Sequence, residues 1–289
     1  MTKAGWTLDD IAWQRFDRSK VDQDLLMAVK AACVVEFNAP DYVDYLKAVF
    51  PNDADLHATF DQWGGEEAQH GRALAAWVKL ADPEFDFEAT FEAFREGYRP
   101  PHFDDAAVSV RGSRRGEMIA RCVVESGTTS YYSAMRDATE EPVLKQIAAH
   151  IAGDEMRHWR LFFDLQQVQP EPELGLLKKI RIAAGRLGEA EDDELGYAYY
   201  CANTPIDRIG IDPYDRKACV KAYETRVLRL WRPQHLDRAV GMIAAAVGLR
   251  PKGWLARGTS RVLWSAVKFK NRGHARNETR RGPGLSRAA

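Results

Sequence analysis

The chain contains few cysteines, and none of them are paired in sequence. Its four cysteines are spread over 289 residues, and no two form a Cys-x-x-Cys pair. Their spacing therefore gives no indication of a disulfide framework or of a rubredoxin-type iron site. An apolar leader near Met1 is also lacking, as is any apolar run of about 18 residues, the length of a membrane span. These absences predict a cytoplasmic protein.

Patterns typical of β-strands are scarce as well. Apolar residues instead recur at helical spacing between breakers, which predicts helices at about 21–50, 54–80, 117–138 and 142–167. A long connection with Gly97, Pro100 and Pro101 separates the second helix from the third. Two long helical hairpins joined by such a crossover have the connectivity of ferritin-like bundles. The predicted fold class is all-α: a ferritin-like four-helix bundle with a long crossover and additional C-terminal helices.

The chain is divided by prediction into a bundle at 1–168, an accessory helical layer of the same domain at 169–250, and a basic amphipathic segment at 251–289. We expect the last 15 or so residues to be disordered. From Arg250 onward there are eleven Lys and Arg residues against one acid. Such a segment either contacts an anionic membrane surface or an acidic partner protein, or is simply solvated. No recognised nucleic-acid-binding module is present.

Two Glu-x-x-His units are candidate metal-binding motifs, Glu67 with His70 and Glu155 with His158. Residues three apart lie on one helix face, so both side chains of a unit can reach one metal ion. Each unit also has a glutamate upstream on the preceding helix, Glu36 at an interval of 31 residues and Glu125 at 30. At a rise of about 1.5 Å per residue, an antiparallel hairpin brings such positions to the same level.

All four glutamates lie on the apolar stripes of their predicted helices. Burying an ionised carboxylate without a partner is costly, so four carboxylates and two imidazoles in one core require positive charge. Two metal ions would provide it, and this ligand mixture favours iron, with manganese as the main rival. Pro40 follows Glu36 by four residues and removes the amide that would bond its carbonyl. We interpret it as a kink beside the site rather than as an early helix end.

The motifs resemble those of the soluble acyl-carrier-protein desaturases, a branch of the ferritin-like diiron superfamily. The stretch from Trp63 to Gly71 resembles their W-x-x-E-E-x-x-H-G signature, and residues 154–158 resemble their D-E-x-R-H motif. The segment Glu36-Phe-Asn-Ala-Pro40-Asp-Tyr and the pair of Glu125 and Thr128 resemble the first-helix and third-helix motifs. Together the four motifs span roughly residues 20–165.

The resemblance implies two iron ions, O2 as co-substrate and an acyl chain lying in a narrow apolar channel. It also implies a homodimer and a ferredoxin-like electron donor. Carried over by position, the iron ligands are Glu36, Glu67, His70, Glu125, Glu155 and His158. Thr128 becomes the hydroxyl near the oxygen site and Asp154 the partner of a ligand histidine. A hydroxyl bonded to the carbonyl one turn earlier is the structural alternative for Thr128.

Three functions are compatible with these ligands. The first is an O2-dependent diiron oxidoreductase acting on a fatty-acyl or other lipid chain, as a desaturase or hydroxylase. The second is a diiron N-oxygenase or hydroxylase of a small metabolite, which would need a wider and more polar cavity. The third is a metal-storage or peroxide-scavenging bundle of the ferritin or rubrerythrin kind. The long sequence after residue 168 argues against the third, because such bundles are compact.

Overall fold

The computed structural model describes residues 5–98, 109–189 and 193–281. Within these ranges the chain is all-α, as predicted, and its β-structure is limited to one isolated bridge between Ile209 and Asp212. Short 3₁₀ helices occupy Leu8–Asp10, Trp13–Arg15, Arg18–Lys20 and Ile206–Arg208. The α-helices are α1 (Gln23–Phe37), α2 (Ala39–Val49), α3 (Ala54–Ala81), α4 (Phe87–Gly97), α5 (Arg114–Ala138), α6 (Pro142–Val168), α7 (Leu176–Gly188), α8 (Asp193–Asn203), α9 (Arg216–Leu228), α10 (Pro233–Ala246) and α11 (Trp254–Arg281).

The first predicted helix, at about 21–50, is broken in the structure. Helix α1 ends at Phe37, and Asn38 separates it from α2, which has Pro40 in its first turn. The missing amide of Pro40 explains why the break comes just after Glu36. The long connection between α3 and α5 also differs from the sequence interpretation, because it contains helix α4.

The helices that carry the predicted ligands begin at side-chain caps. Asp22, Asp53, Ser113 and Glu141 each accept a hydrogen bond from a backbone amide in the first turn of α1, α3, α5 and α6, respectively. Such a cap satisfies an amide that has no partner within the helix. The starting residue of each ligand-bearing helix is thus set by its local sequence.

The ligand-bearing helices pack in two pairs, α1 against α3 and α5 against α6, and the pairs meet through α3 and α6. Gly71 allows the close approach of α1 and α3. A Cβ atom there would lie 2.7 Å from the backbone nitrogen of Phe37 and 2.9 Å from the carbonyl oxygen of Cys33. Only glycine fits this contact without a shift of the backbone, and the contact places Glu36 beside His70.

The later helices cover the two pairs, with α8 packed on α1, α10 on α5 and α11 on α10. The division into three regions at residues 168 and 250 stays a prediction. Most of the segment predicted to be basic and amphipathic forms α11, which continues to Arg281 and so includes the first part of the stretch predicted to be disordered; the rest of that stretch lies outside the described residues. None of the helices in the described ranges has the length and apolar character needed to cross a membrane.

Candidate metal centre

Six side chains from four helices converge between α1, α3, α5 and α6. They form two overlapping groups whose nitrogen and carboxylate oxygen atoms lie within 4.8 Å of one another: Glu36, Glu67, His70 and Glu155, and Glu67, Glu125, Glu155 and His158. Two of the glutamates, Glu67 and Glu155, belong to both groups. The structure therefore brings together all six residues that the sequence nominated as ligands, in an arrangement suited to two ions with shared carboxylates.

Both histidines point Nδ1 into this cluster. His70 Nδ1 lies 3.3 Å from a carboxylate oxygen of Glu67 and 3.3 Å from one of Glu155. His158 Nδ1 lies 3.0 Å from an oxygen of Glu67. Neither Nδ1 atom is aligned for a hydrogen bond with these oxygens, although both atoms are buried beside them. A buried nitrogen without a partner is costly, and a bound cation would satisfy both of them.

The other ring nitrogen of each histidine is held by an acid from the opposite unit. His70 Nε2 lies 3.0 Å from Asp154 Oδ2, and His158 Nε2 lies 2.9 Å from Glu66 Oε2. When Nε2 carries the proton and donates it to a carboxylate, the lone pair of Nδ1 faces the cluster. Metal-bound histidines in proteins usually have such a carboxylate partner, so this arrangement fits a pair of metal sites.

The carboxylates of the cluster lack sufficient positive charge of their own. Burial, together with the charges of Glu67 and Glu155, raises the pKa of Glu36 to about 8 despite its contact with His70. Burial and the same type of repulsion raise the pKa of Glu125 well above its usual value. Glu125 Oε2 and Glu155 Oε1 are also buried without a hydrogen-bond partner. Two divalent cations would neutralise four carboxylates and occupy these unpaired oxygens, so the residues fit the group that the resemblance implies.

Two hydroxyl groups orient the outer carboxylate oxygens. Thr128 donates to Glu155 Oε2 at 2.5 Å, while its Oγ1 also lies 3.4 Å from the carbonyl of Val124. Tyr132 donates to Glu36 Oε1 at 2.5 Å. The sequence nominated Thr128 for a role near the oxygen site, and the structure places it against a candidate ligand. Tyr132 was not anticipated, because its contact joins α5 to α1 across 96 positions of the chain.

Asp154 is held in place by one residue of the N-terminal segment and by one residue of its own helix. Trp6 donates its indole N–H to Asp154 Oδ2 at 2.7 Å and stacks parallel to the His70 ring. Arg157 donates to Asp154 Oδ1 at 2.6 Å and to Glu66 Oε2 at 3.1 Å. The two acids that hold the histidines are therefore connected through one guanidinium group, which restricts their motion.

The roles of Glu66 and Trp6 were not predicted from the sequence, although the sequence contains a pattern that includes Glu66. Each Glu-x-x-His unit is preceded by an acid, Glu66 in one and Asp154 in the other. That repetition suggests equivalent roles for the two acids. The sequence does not reveal, however, that each acid serves the histidine of the other unit. For Trp6 no local pattern points to the site.

We expect Asp154→Ala to weaken Fe(II) binding about 10- to 100-fold, because loss of a carboxylate behind a metal-bound histidine typically has this effect. Anaerobic competition with a coloured chelator measures the affinity. Asp164→Ala is the control, since that acid is also on α6 but is exposed and pairs with Arg160. Equal affinities for the Asp154 variant and wild type would contradict the orienting role.

A cavity of about 130 Å³ lies beside the cluster. Its walls include four candidate ligands and Thr128, together with apolar side chains and three further charged residues, Arg121, Arg186 and Glu194. Small-molecule sites in proteins usually measure roughly 300–1,000 Å³. The space next to the candidate ligands is thus small and partly charged, whereas the resemblance implied a narrow apolar channel.

The comparisons with known proteins leave the family open. No protein-family model and no curated protein matches the chain. The resemblance to the desaturases therefore rests on the motifs alone. The structure shows an all-helical protein with a buried cluster of glutamate and histidine side chains that could hold a metal ion.

Proposed function

We propose that the chain is an O2-dependent non-haem diiron oxidoreductase with the fold of a ferritin-like four-helix bundle formed by α1, α3, α5 and α6. The observation that carries the proposal is the pair of buried Nδ1 atoms that make no hydrogen bond and are directed into four carboxylates. Their partners at Nε2 support it, since a carboxylate behind a histidine is typical of metal sites. The pairwise packing of the ligand-bearing helices supports the bundle.

In this proposal Glu36 and His70 would hold one iron ion and Glu125 and His158 would hold the other, while Glu67 and Glu155 belong to both groups of candidate ligands. Mixed oxygen and nitrogen ligands suit iron, with manganese as the principal rival. Two bound iron ions would supply electrons to O2 and so provide an oxidant strong enough to attack the substrate.

The protein's own residues have more limited roles in this reaction. Asp154 and Glu66 keep the imidazole rings oriented. Thr128 holds a proton at Oγ1 beside Glu155 and adjoins the cavity, where a proton is needed when O2 is reduced. The apolar cavity walls of Val35, Ala39 and Val124 limit access of water.

Two classes of substrate fit a diiron oxidoreductase of this kind. A fatty-acyl or other lipid chain is the class that the motifs suggest. The small volume and charged walls of the cavity beside the cluster favour the second class, a compact polar metabolite that is hydroxylated or N-oxygenated. Product analysis by mass spectrometry separates the two, because desaturation removes hydrogen whereas hydroxylation adds oxygen.

A ferritin-like or rubrerythrin-like role in handling metal or peroxide is the other alternative. Helices α7 to α11 follow the ligand-bearing helices, and α8 and α10 pack on α1 and α5, which disfavours the compact architecture of such proteins. Size-exclusion chromatography decides this point, because a cage would elute far ahead of a dimer. A homodimer, a ferredoxin-like electron donor and contact of α11 with a membrane surface or an acidic partner remain parts of the proposal.

The function is tested by adding O2 to protein loaded anaerobically with Fe(II). We expect a transient visible absorbance and an O2 uptake faster than that of the same concentration of free Fe(II). The matched control is protein loaded with Mn(II), measured under the same conditions. Iron that binds at two per chain but reacts with O2 no faster than free Fe(II) would refute the oxidoreductase and favour storage.

A further inference from the structure

The buried arginine Arg121 lies in the wall of the cavity, one helical turn before Glu125 on α5. Only 7% of its surface is exposed, and its Nε is buried without a hydrogen-bond partner. In the described part of the chain it makes no hydrogen bond at all. It only approaches Glu117 Oε1 at 3.6 Å and lies over the ring of Tyr42 at 5.0 Å. A guanidinium group with five donors is normally paired when it is buried.

A second buried arginine on the same helix, Arg115, allows its hydrogen bonds to be compared with those of Arg121. Arg115 is 5% exposed and donates to the carbonyl oxygens of Gln166, Gln169 and Glu171. It also pairs with Glu173 at 3.1 Å. Both terminal nitrogens of Arg115 are thus paired within the chain, although its Nε, like that of Arg121, has no hydrogen-bond partner. The contrast lies in the terminal nitrogens: those of Arg121 make no hydrogen bond in the described part of the chain and are therefore available to a ligand in the cavity.

The nearest acid, Glu117, does not account for Arg121. Its Oε2 already accepts hydrogen bonds from Tyr45 and Ser109, both at 2.8 Å. The remaining 3.6 Å approach of its Oε1 to Arg121 is longer than a hydrogen bond. Glu117 therefore offsets part of the charge of Arg121 without accepting a hydrogen bond from its guanidinium group.

We propose that Arg121 binds the carboxylate of a compact organic substrate in the cavity beside the metal cluster. This inference rests on the proposed function, since it names the substrate class of that site. A carboxylate matches the fork of a guanidinium group and accepts two parallel hydrogen bonds. Residues four apart on a helix are neighbours, so a molecule anchored at Arg121 extends toward Glu125 and the cluster.

The rest of the cavity defines the molecule further. Its 130 Å³ volume accommodates a small body rather than a long acyl chain. Tyr42 and Trp63 provide aromatic walls, and Tyr42 is fixed by its hydroxyl group, which donates to Glu194 Oε2 at 2.5 Å. The cavity wall also contains one further cation, Arg186, and one further anion, Glu194, whose charges offset each other, so Arg121 is left to balance a single negative charge. A monocarboxylate is therefore favoured over a phosphate monoester, which carries close to two charges at neutral pH.

The experiment compares acids with their neutral amides. Butanoate, hexanoate and benzoate, each beside its amide, are titrated by calorimetry into protein that has been incubated anaerobically with Fe(II). We expect at least one acid to bind about 10- to 100-fold more tightly than its amide, the range of a hydrogen-bonded charge pair. Arg121→Met should abolish this preference, and Arg121→Lys should retain part of it. Arg136→Met is the control, because Arg136 is also on α5 but pairs with Asp137 and is 37% exposed.

The outcomes separate this inference from the proposed function. The role proposed for Arg121 would be overturned if wild type bound acid and amide equally or bound none of the three acids. It would also be overturned if Arg121→Met kept the same preference for acid over amide. Iron content is counted in the same samples. Loss of iron in Arg121→Met with an intact helical spectrum would overturn it as well, because Arg121 would then serve the metal site. A wild-type protein that binds no iron would refute the diiron proposal, whereas the acid–amide comparison would still report on Arg121.

Discussion

Replacing both Glu67 and Glu155 with alanine is expected to reduce bound iron at least about tenfold, because loss of even one oriented ligand group typically costs 10- to 100-fold in affinity. These two glutamates belong to both groups of candidate ligands, so their removal deprives both ions at once. The measurement is iron per chain after anaerobic Fe(II) loading and desalting.

Glu140→Ala is the matched control for this experiment, because Glu140 is an exposed glutamate two residues before α6. It should bind as much iron as wild type. Far-UV circular dichroism establishes that the double variant keeps its helices. Undiminished iron binding in a folded double variant would place the metal elsewhere in the protein.

Replacing Glu141 with alanine is expected to lower the free energy of unfolding by about 3–5 kcal/mol, the range for breaking a buried charged hydrogen-bond network. Glu141 is fully buried and caps α6. Its carboxylate accepts from the indole N–H of Trp77 at 2.7 Å and from the amides of Leu144 and Asp17 at 2.7 and 3.1 Å. Alanine leaves these donors without a partner, and the one on Trp77 is buried.

Urea denaturation measures this effect, and the neighbouring Glu140→Ala again serves as the control. An exposed substitution of that kind should change stability by no more than about 0.5 kcal/mol. A loss below about 1 kcal/mol in Glu141→Ala would show that the network contributes no more than a typical single hydrogen bond. Because Asp17 belongs to the segment that carries Trp6 to Asp154, the variant should also weaken Fe(II) binding.

The six candidate ligands could be predicted because their arrangement depends on helix geometry alone. A spacing of three residues places Glu67 and His70 on one face, and equal intervals to Glu36 and Glu125 align the hairpins. The residues that support them could not be predicted in the same way. The contacts of Tyr132, Trp6 and Arg121 join segments whose relative positions depend on tertiary packing.

The helical class and most helix positions followed from apolar periodicity, while two local features did not. The apolar pattern continued past Pro40 and predicted only a kink in one long helix, whereas the missing amide of Pro40 breaks the helix at Asn38. Helix α4 was not anticipated within the connection that contains Gly97, although it is strongly amphipathic. Its apolar face packs on α8 and α1, partners that come from distant parts of the chain.

The central claim, two metal ions held between four carboxylates and two imidazoles, is tested most directly by native mass spectrometry of anaerobically Fe(II)-loaded protein. We expect a mass increase of two iron ions per chain in wild type, and loss of both in the double variant of Glu67 and Glu155. No bound iron, a single tightly bound ion, or two ions that persist in the double variant would contradict it.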